Sequence, residues 1–247
     1  MPLLANLPTI LDRLLPGCCA LCGGDGPGPL CACCCEYLSQ PALRCERCAI
    51  RLPDASMNRC CGSCAHDPPA FDRTLALADY TAPLDRLLQD LKFSARLPLA
   101  SALGSLLARR ATSLNIGDPS CLGADPLPDP VLLPVPLSRE RLAERGFNQA
   151  LEIARPLASL LQLKMAAGVC TRVRHTDAQA SLTLADRQVN MRGAFAVLQR
   201  QAVAGRAVLV VDDVMTTGHT LAALAACLKR HGAAHVTNLV IARTPAR

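Results

Sequence analysis

Apolar and polar positions divide the chain near residue 66. Beyond Pro68-Pro69, unbroken apolar runs alternate with stretches of helical period. RTLALADY (73–80) and VLLPVPL (131–137) predict short strands, RAVLVV (206–211) a strand buried on both faces, and HVTNLVIA (235–242) a final strand. AFAV (194–197) predicts one more. PLDRLLQDLKF (83–93), PLASALGSLLARRA (98–111), NQALEIARPLASLLQL (148–163) and TLAALAACLKR (220–230) carry helical spacing. Pro156 is expected to kink or divide the third of these helices. A Gly/Pro/Asp loop fills 117–130. Strand, helix and strand in succession predict an α/β fold, a parallel sheet flanked by helices and joined by right-handed crossovers. Before residue 66 the segments are short and rich in Cys, Gly and Pro, as in GGDGPGPL (23–30). The opening stretch differs, because Leu7, Ile10, Leu11, Leu14 and Leu15 repeat at helical spacing until Pro16-Gly17 ends them. Two units follow: 1–66, an N-terminal helix and a small cysteine module, and 67–247, the α/β domain.

Composition explains the first unit. Of 15 cysteines in 247 residues, twelve lie between Cys18 and Cys64. The opening residues lack a basic segment, Pro2 and Pro8 interrupt their apolar stretch, and no apolar run reaches the roughly 18–20 residues of a bilayer span. The expectation is a cytoplasmic protein without membrane insertion, whose clustered thiols are metal ligands rather than disulfides. Four pairs have C-x2-C spacing: Cys19/Cys22, Cys31/Cys34, Cys45/Cys48 and Cys61/Cys64. Two such knuckles complete a tetrahedral four-thiolate site, so two sequential zinc ribbons fit, and zinc would supply much of the folding free energy of so small a module. Cys18, Cys33, Cys35 and Cys60 are adjacent spares, His66 could replace a sulfur, and a crossed arrangement of the knuckles is an alternative.

Charge concerns the second unit. The formal net charge is +6, from 23 Arg and 3 Lys against 20 acids, and residues 1–66 are balanced. An excess confined to 67–247 suits a phosphate-bearing ligand or weak attraction to nucleic acid. With six aromatic residues and no Trp, stacking along single-stranded nucleic acid is disfavoured as the main activity. Eight thiolates around two zinc ions would bring the first unit to about −4, which removes a basic zinc finger gripping DNA.

VLVVDDVMTTGHT (208–220) carries the most specific chemistry. A buried strand delivers Asp212 and Asp213 to the carboxyl end of a parallel sheet, where ligands bind in open α/β folds. Val214, Met215, Thr216, Thr217, Gly218, His219 and Thr220 then lead into an apolar helix. Their backbone N–H groups, the threonine hydroxyls and the helix dipole form an anion cradle, and Gly218 allows close approach. Carboxylates beside a phosphate site need another partner, which sugar hydroxyls or a water-held Mg2+ supplies. A sugar phosphate satisfies both halves.

The segment resembles the phosphoribosyl pyrophosphate (PRPP) motif of type I phosphoribosyltransferases, and the whole chain resembles the ComF family, associated with natural competence and also named as predicted amidophosphoribosyltransferases. The knuckles look like that family's double zinc ribbon. Pro68 to Phe71, Tyr80, Lys92-Phe93, LPVPLSRERLAERGFNQA (133–150), Thr176, Gln179, Arg187 and Asn190 match as well. The resemblance implies that Asp212 and Asp213 hold the ribose hydroxyls and that Thr216 to Thr220 bind the 5′-phosphate. It places Pro134, Val135 and Pro136 at the pyrophosphate loop. The two prolines there leave Val135 and Leu137 as amide donors, with Arg139, Arg141 and Arg145 near enough to add charge-assisted contacts. Residues 171–192 fall where the transferases keep a mobile catalytic loop, from which Arg172 and Arg174 would meet pyrophosphate and Gln179 or Asn190 would fix the loop. His175 and His219 are candidate proton donors.

Two functions follow from the resemblance. One is transfer of phosphoribosyl from PRPP, with Mg2+, to a nitrogen acceptor with pyrophosphate release, in DNA uptake or nucleotide metabolism. The other is a non-catalytic PRPP- or nucleotide-binding adaptor whose zinc ribbon docks a DNA-uptake helicase or single-stranded DNA.

Overall fold

The longest apolar runs become the centre of one sheet. A computed structural model describes residues 17–53, 59–116, 130–173 and 193–246; the predicted opening helix, most of the 117–130 loop, and Arg174, His175, Thr176, Gln179, Arg187 and Asn190 lie outside them. The cysteine module holds a short antiparallel pair, β1 (Gly17–Cys18) and β2 (Asp25–Gly26), and two short helices, α1 (Ala32–Leu38) and α2 (Gly62–His66). The remaining chain runs β3 (Arg73–Asp79), α3 (Leu84–Phe93), α4 (Leu97–Ser113), β4 (Val131–Pro134), α5 (Arg139–Arg145) and α6 (Gln149–Leu160). After these come β5 (Lys164–Met165), β6 (Cys170–Arg172), β7 (Phe195–Val197), β8 (Ala207–Met215), α7 (His219–Arg230) and β9 (His235–Arg243). Five strands in the order β3-β9-β8-β4-β5 form a wholly parallel sheet, while β6 and β7 pair separately and antiparallel.

Both sheet faces are covered, which is why β8 and β9 read as unbroken apolar runs. Val208, Val210, Val236 and Val240 face Leu221, Leu224 and Leu228 of α7. Leu209, Val211, Leu239 and Ile241 face the leucines of α3, α4 and α6. The cysteine module contributes to both cores: Cys45, Cys48 and Cys64 to the first, Cys19, Cys34 and Leu38 to the second. Among the described residues, no helix is long and apolar enough to cross a membrane.

Two expectations change. The strand predicted at 206–211 continues to Met215, because β9 also continues: Asp212 pairs with Val240, Val214 with Ala242 and Met215 with Arg243. Both acids therefore sit inside a strand rather than after it. Pro156 neither ends nor divides its helix, which runs from Gln149 to Leu160. The proline ring lies against α4 where Gly104 leaves room for it; a Cβ there would come 2.6 Å from Pro156 Cγ and 2.5 Å from the Ile153 carbonyl.

Candidate functional site

The carboxyl ends of β3, β4 and β8 open into a cleft of about 270 Å³ bordered by Tyr80, Lys92, Val135, Leu137, Arg141, Arg145, Asn148, Gln149, Arg172, Asp212, Asp213, Val214, Thr216 and Thr220. Asp212 Oδ1 accepts the Asp213 N–H at 2.9 Å, and Asp213 Oδ1 accepts the Val214 N–H at 2.8 Å. These contacts fix both carboxylates to their own backbone. Lys92, at the end of α3, brings Nζ to 2.7 Å from Asp213 Oδ2. Burial, and then the negative charge of Asp213, push the Asp212 carboxyl well above its ordinary range, while Lys92 draws it back in part. A group that resists ionisation until a cation or a donor arrives is suited to take hydroxyl hydrogens or a metal ion.

The opposite charge is supplied by Arg141 and Arg145 of α5 and by Arg172 at the end of β6. Arg172 stacks on the Phe195 ring at 5.7 Å, and Arg145 lies over Phe93 at 5.9 Å. Burial, and next the charge of Arg141, lower Arg172, with Asp212 opposing them. Gly218 adopts a left-handed φ of 84° as the N-cap of α7. That left-handed backbone is what the turn from strand to helix requires glycine for; a Cβ there would also meet Met215 Cε at 2.6 Å.

The loop after β4 departs from expectation. The Val135 N–H donates to the Val211 carbonyl at 2.9 Å and is not available to a ligand. Asn148 closes the same loop from behind: its Nδ2 donates to the Val135 carbonyl at 3.0 Å while its Oδ1 caps the Ala150 N–H at 3.0 Å. Of the two amide donors read from the sequence, Leu137 alone remains, and its N–H has no acceptor among the described residues. One residue beyond Asn148, Gln149 is 3% exposed and its Nε2 has no partner among the described residues, while the side chain borders the cleft.

Of the residues singled out from the sequence, the structure thus brings Asp212, Asp213, Val214, Thr216, Thr220, Val135, Arg145 and Arg172 to one cleft. Met215 turns into the core, Pro134 is buried at the end of β4, and Arg139 is exposed on α5. Pro136, Thr217, Gly218 and His219 stand just outside the lining. Arg174 lies outside the described residues. Lys92 also joins the lining of the cleft, and its signal in the sequence is rarity, since it is one of three lysines beside 23 arginines.

The cysteines form a second kind of site. Cys19, Cys22, Cys31 and Cys34 make one cluster and Cys45, Cys48, Cys61 and Cys64 another, with all sulfurs in each within 4.8 Å of one another. Pairing is therefore sequential and not crossed, and the spare cysteines and His66 lie outside both groups. Around a metal with Zn–S bonds of about 2.3 Å, tetrahedral sulfurs stand about 3.8 Å apart. Cys22 and Cys31 are 3.7 Å apart, and Cys48 and Cys61 are 3.6 Å apart. Each cluster is built alike: a tight turn carries the first pair, and the second pair opens a helix. The Cys31 N–H points at Cys19 Sγ and the Cys61 N–H at Cys45 Sγ, both at 3.3 Å. Burial raises the Cys19 thiol, yet N–H groups of Cys22, Cys31 and Leu21 outweigh it and bring it to about 6. Cys45 falls to about 7 by the same opposition of burial and backbone donors. Burial and neighbouring sulfurs push Cys34 and Cys64 up instead. Such unequal thiols held at tetrahedral spacing fit a shared cation, and both clusters can hold zinc.

A parallel sheet with paired acids and a glycine-pinned strand-to-helix loop at its carboxyl end defines a phosphoribosyltransferase-like domain, and the phosphoribosyl transferase domain family matches residues 148–247. Over 239 residues the chain is 36% identical to DNA utilization protein YhgH of Escherichia coli K12, covering 93% of this chain and 98% of that protein. It is 31% identical over 184 residues to competence protein F of Haemophilus influenzae, covering 74% and 78%. Competence protein ComFC of Bacillus subtilis is 32% identical over 123 residues, covering 46% and 45%. The chain belongs to the ComF family of these proteins.

Proposed function

We propose that the chain binds PRPP, or a related ribosyl phosphate, and transfers its phosphoribosyl group to a nitrogen acceptor with release of pyrophosphate. The observation that carries this reading is one cleft holding two kinds of group: the Asp212-Asp213 pair with Lys92, and the arginines 141, 145 and 172. Asp212 and Asp213 accept the ribose 2′ and 3′ hydroxyls, and the 216–220 loop holds the 5′-phosphate through backbone N–H and threonine hydroxyls. The Leu137 N–H and the three arginines, with Arg174, hold pyrophosphate. Mg2+, when bound, neutralises the leaving group; Asp212 and Asp213, the carboxylates in the cleft, would hold it through water and the ribose hydroxyls. As the bond to pyrophosphate lengthens, positive charge grows on the ribosyl ring beside the two carboxylates, and the fixed arginines take up negative charge on the other side. Residues 1–66 serve as the metal module and 67–247 as the ribosyl-phosphate domain. The names of YhgH, a DNA utilization protein, and of competence protein F support a role in the handling of DNA taken up by the cell, and the same reading puts that role in the cytoplasm.

The test is pyrophosphate release from PRPP with a panel of bases and amines, beside PRPP titration of the chain and of Asp212→Asn/Asp213→Asn. Turnover that the double variant loses supports the transferase. PRPP bound without turnover supports the second reading, an adaptor that docks a DNA-uptake helicase or single-stranded DNA through its cysteine module. A wild-type chain that takes neither PRPP nor a ribosyl phosphate or nucleotide titrated beside it sinks both.

A further inference from the structure

Arg243 ends β9 and is 7% exposed. Among the described residues its partners are carbonyls alone. Nε donates to the Cys48 carbonyl at 2.8 Å, and one terminal nitrogen donates to the carbonyls of Met215 at 3.2 Å, Thr244 at 2.8 Å and Thr216. A buried guanidinium is costly unless its donors are used, and here one fork joins two functional segments. Cys48 belongs to the second sulfur cluster, and Met215-Thr216 open the phosphate loop.

Peptide planarity turns that contact into a control of direction. In a trans unit the carbonyl and the following N–H point to opposite sides. Holding the Met215 and Thr216 carbonyls on Arg243 therefore aims the N–H groups of Thr216 and Thr217 away from it. Three further contacts tie the module of the second cluster to β3, and β3 to the end of β9. Arg44 spans the Ala49 carbonyl at 3.1 Å and Asp79 at 2.6 Å, Arg51 reaches Asp79 at 3.2 Å, and the Tyr80 N–H donates to the Arg243 carbonyl at 2.8 Å. The first cluster is not so tied, since Cys19 and Cys34 pack into the core on the other sheet face.

We infer that Arg243 is a positioning residue through which a metal at Cys45, Cys48, Cys61 and Cys64 sets the phosphate loop, so that the second cluster, and not the first, governs ligand binding in the cleft. The identity of that ligand rests on the ribosyl-phosphate reading; the link itself does not. Coupling of two sites is reciprocal, so ligand in the cleft also tightens metal at the second cluster.

Hydrogen exchange at residues 215–220 of the full zinc-loaded chain reads the link without any ligand. Cys64→Ser and Arg243→Met are expected to speed exchange there about tenfold, Arg243→Lys to fall between, and Cys34→Ser to leave it unchanged. A loop that ignores Cys64→Ser, or answers both cysteine variants equally, overturns the inference. Zinc transfer to a chromogenic chelator reads the same link in unmutated protein, whether or not Cys64→Ser folds. PRPP is expected to slow release of one of the two ions about tenfold, and Arg243→Met to abolish that effect. PRPP that binds and leaves both release rates unchanged also overturns it. A loop that responds to the second metal in a chain that takes no PRPP keeps the link and refutes the ribosyl-phosphate reading alone.

Discussion

Lys92 Nζ stands 2.7 Å from Asp213 Oδ2, joining the end of α3 to the acidic end of β8. The contact is an ion pair, and among the described residues Lys92 is the group that reaches Oδ2. Lys92 is the one cation paired with the acids among the described residues, and it opposes the rise of Asp212. Lys92→Met should cost about 1–3 kcal/mol of stability, since a mostly buried carboxylate then lacks its partner. Lys92→Arg should recover most of that loss. Urea denaturation of the three proteins measures it, and equal midpoints for Lys92→Met and wild type would refute the structural role.

Asp212 gives a pH dependence of defined sign. Its folded pKa is raised by burial and by Asp213, so the folded state holds a proton that the unfolded chain releases near pH 4. The stabilisation from this group is complete below that point and is lost as pH rises through the folded value. Asp212→Asn should therefore flatten the decline of Tm above pH 4 while removing PRPP affinity. Thermal melts across that range check the slope; an unchanged slope would remove Asp212 as its source.

Zinc binding should release protons in a pH-dependent number. With Cys19 ionising at about 6 and Cys45 at about 7, each cluster already holds one thiolate in mildly alkaline solution. Close to one fewer proton per site should leave on metal addition at pH 8 than at pH 5. Titration in weakly buffered solution counts them. The same lowered values mean that this stabilisation, present above the ordinary thiol range, fades as pH falls through 7 and 6.

The loop after β4 makes its own prediction. The Leu137 N–H has no acceptor among the described residues, so Leu137→Pro should weaken pyrophosphate binding about tenfold, the worth of one hydrogen bond to a charged acceptor. Val135→Pro should instead lower stability, since its N–H serves the Val211 carbonyl. Calorimetry with pyrophosphate and thermal melts separate the two effects.

Gly104→Ala tests the contact of α4 with α6. The added methyl would lie 2.5 Å from the Ile153 carbonyl, which is backbone and cannot rotate away. A loss of about 1–3 kcal/mol is expected despite the better helix propensity of alanine.

Periodicity and spacing determined a great deal by themselves. Apolar runs at 206–211 and 235–242 gave the central strands, because a strand buried on both faces has no polar positions to spare. The C-x2-C pairs and the acids before Thr216-Thr217-Gly218 were legible because each is a contiguous piece of backbone carrying its own chemistry. Contacts between distant residues were decided only by tertiary structure. The sequential grouping of the eight sulfurs depends on how the knuckles pack. Asp213 meets Lys92 from another element, and the Val135 amide is lost to Val211 on the neighbouring strand. Arg243 stands just beyond the last apolar run of the sequence, yet its guanidinium is buried between Cys48 and Thr216. Local pattern reports which surface each residue must bury; which partner it meets there is settled when the strands and the cysteine module close on one another.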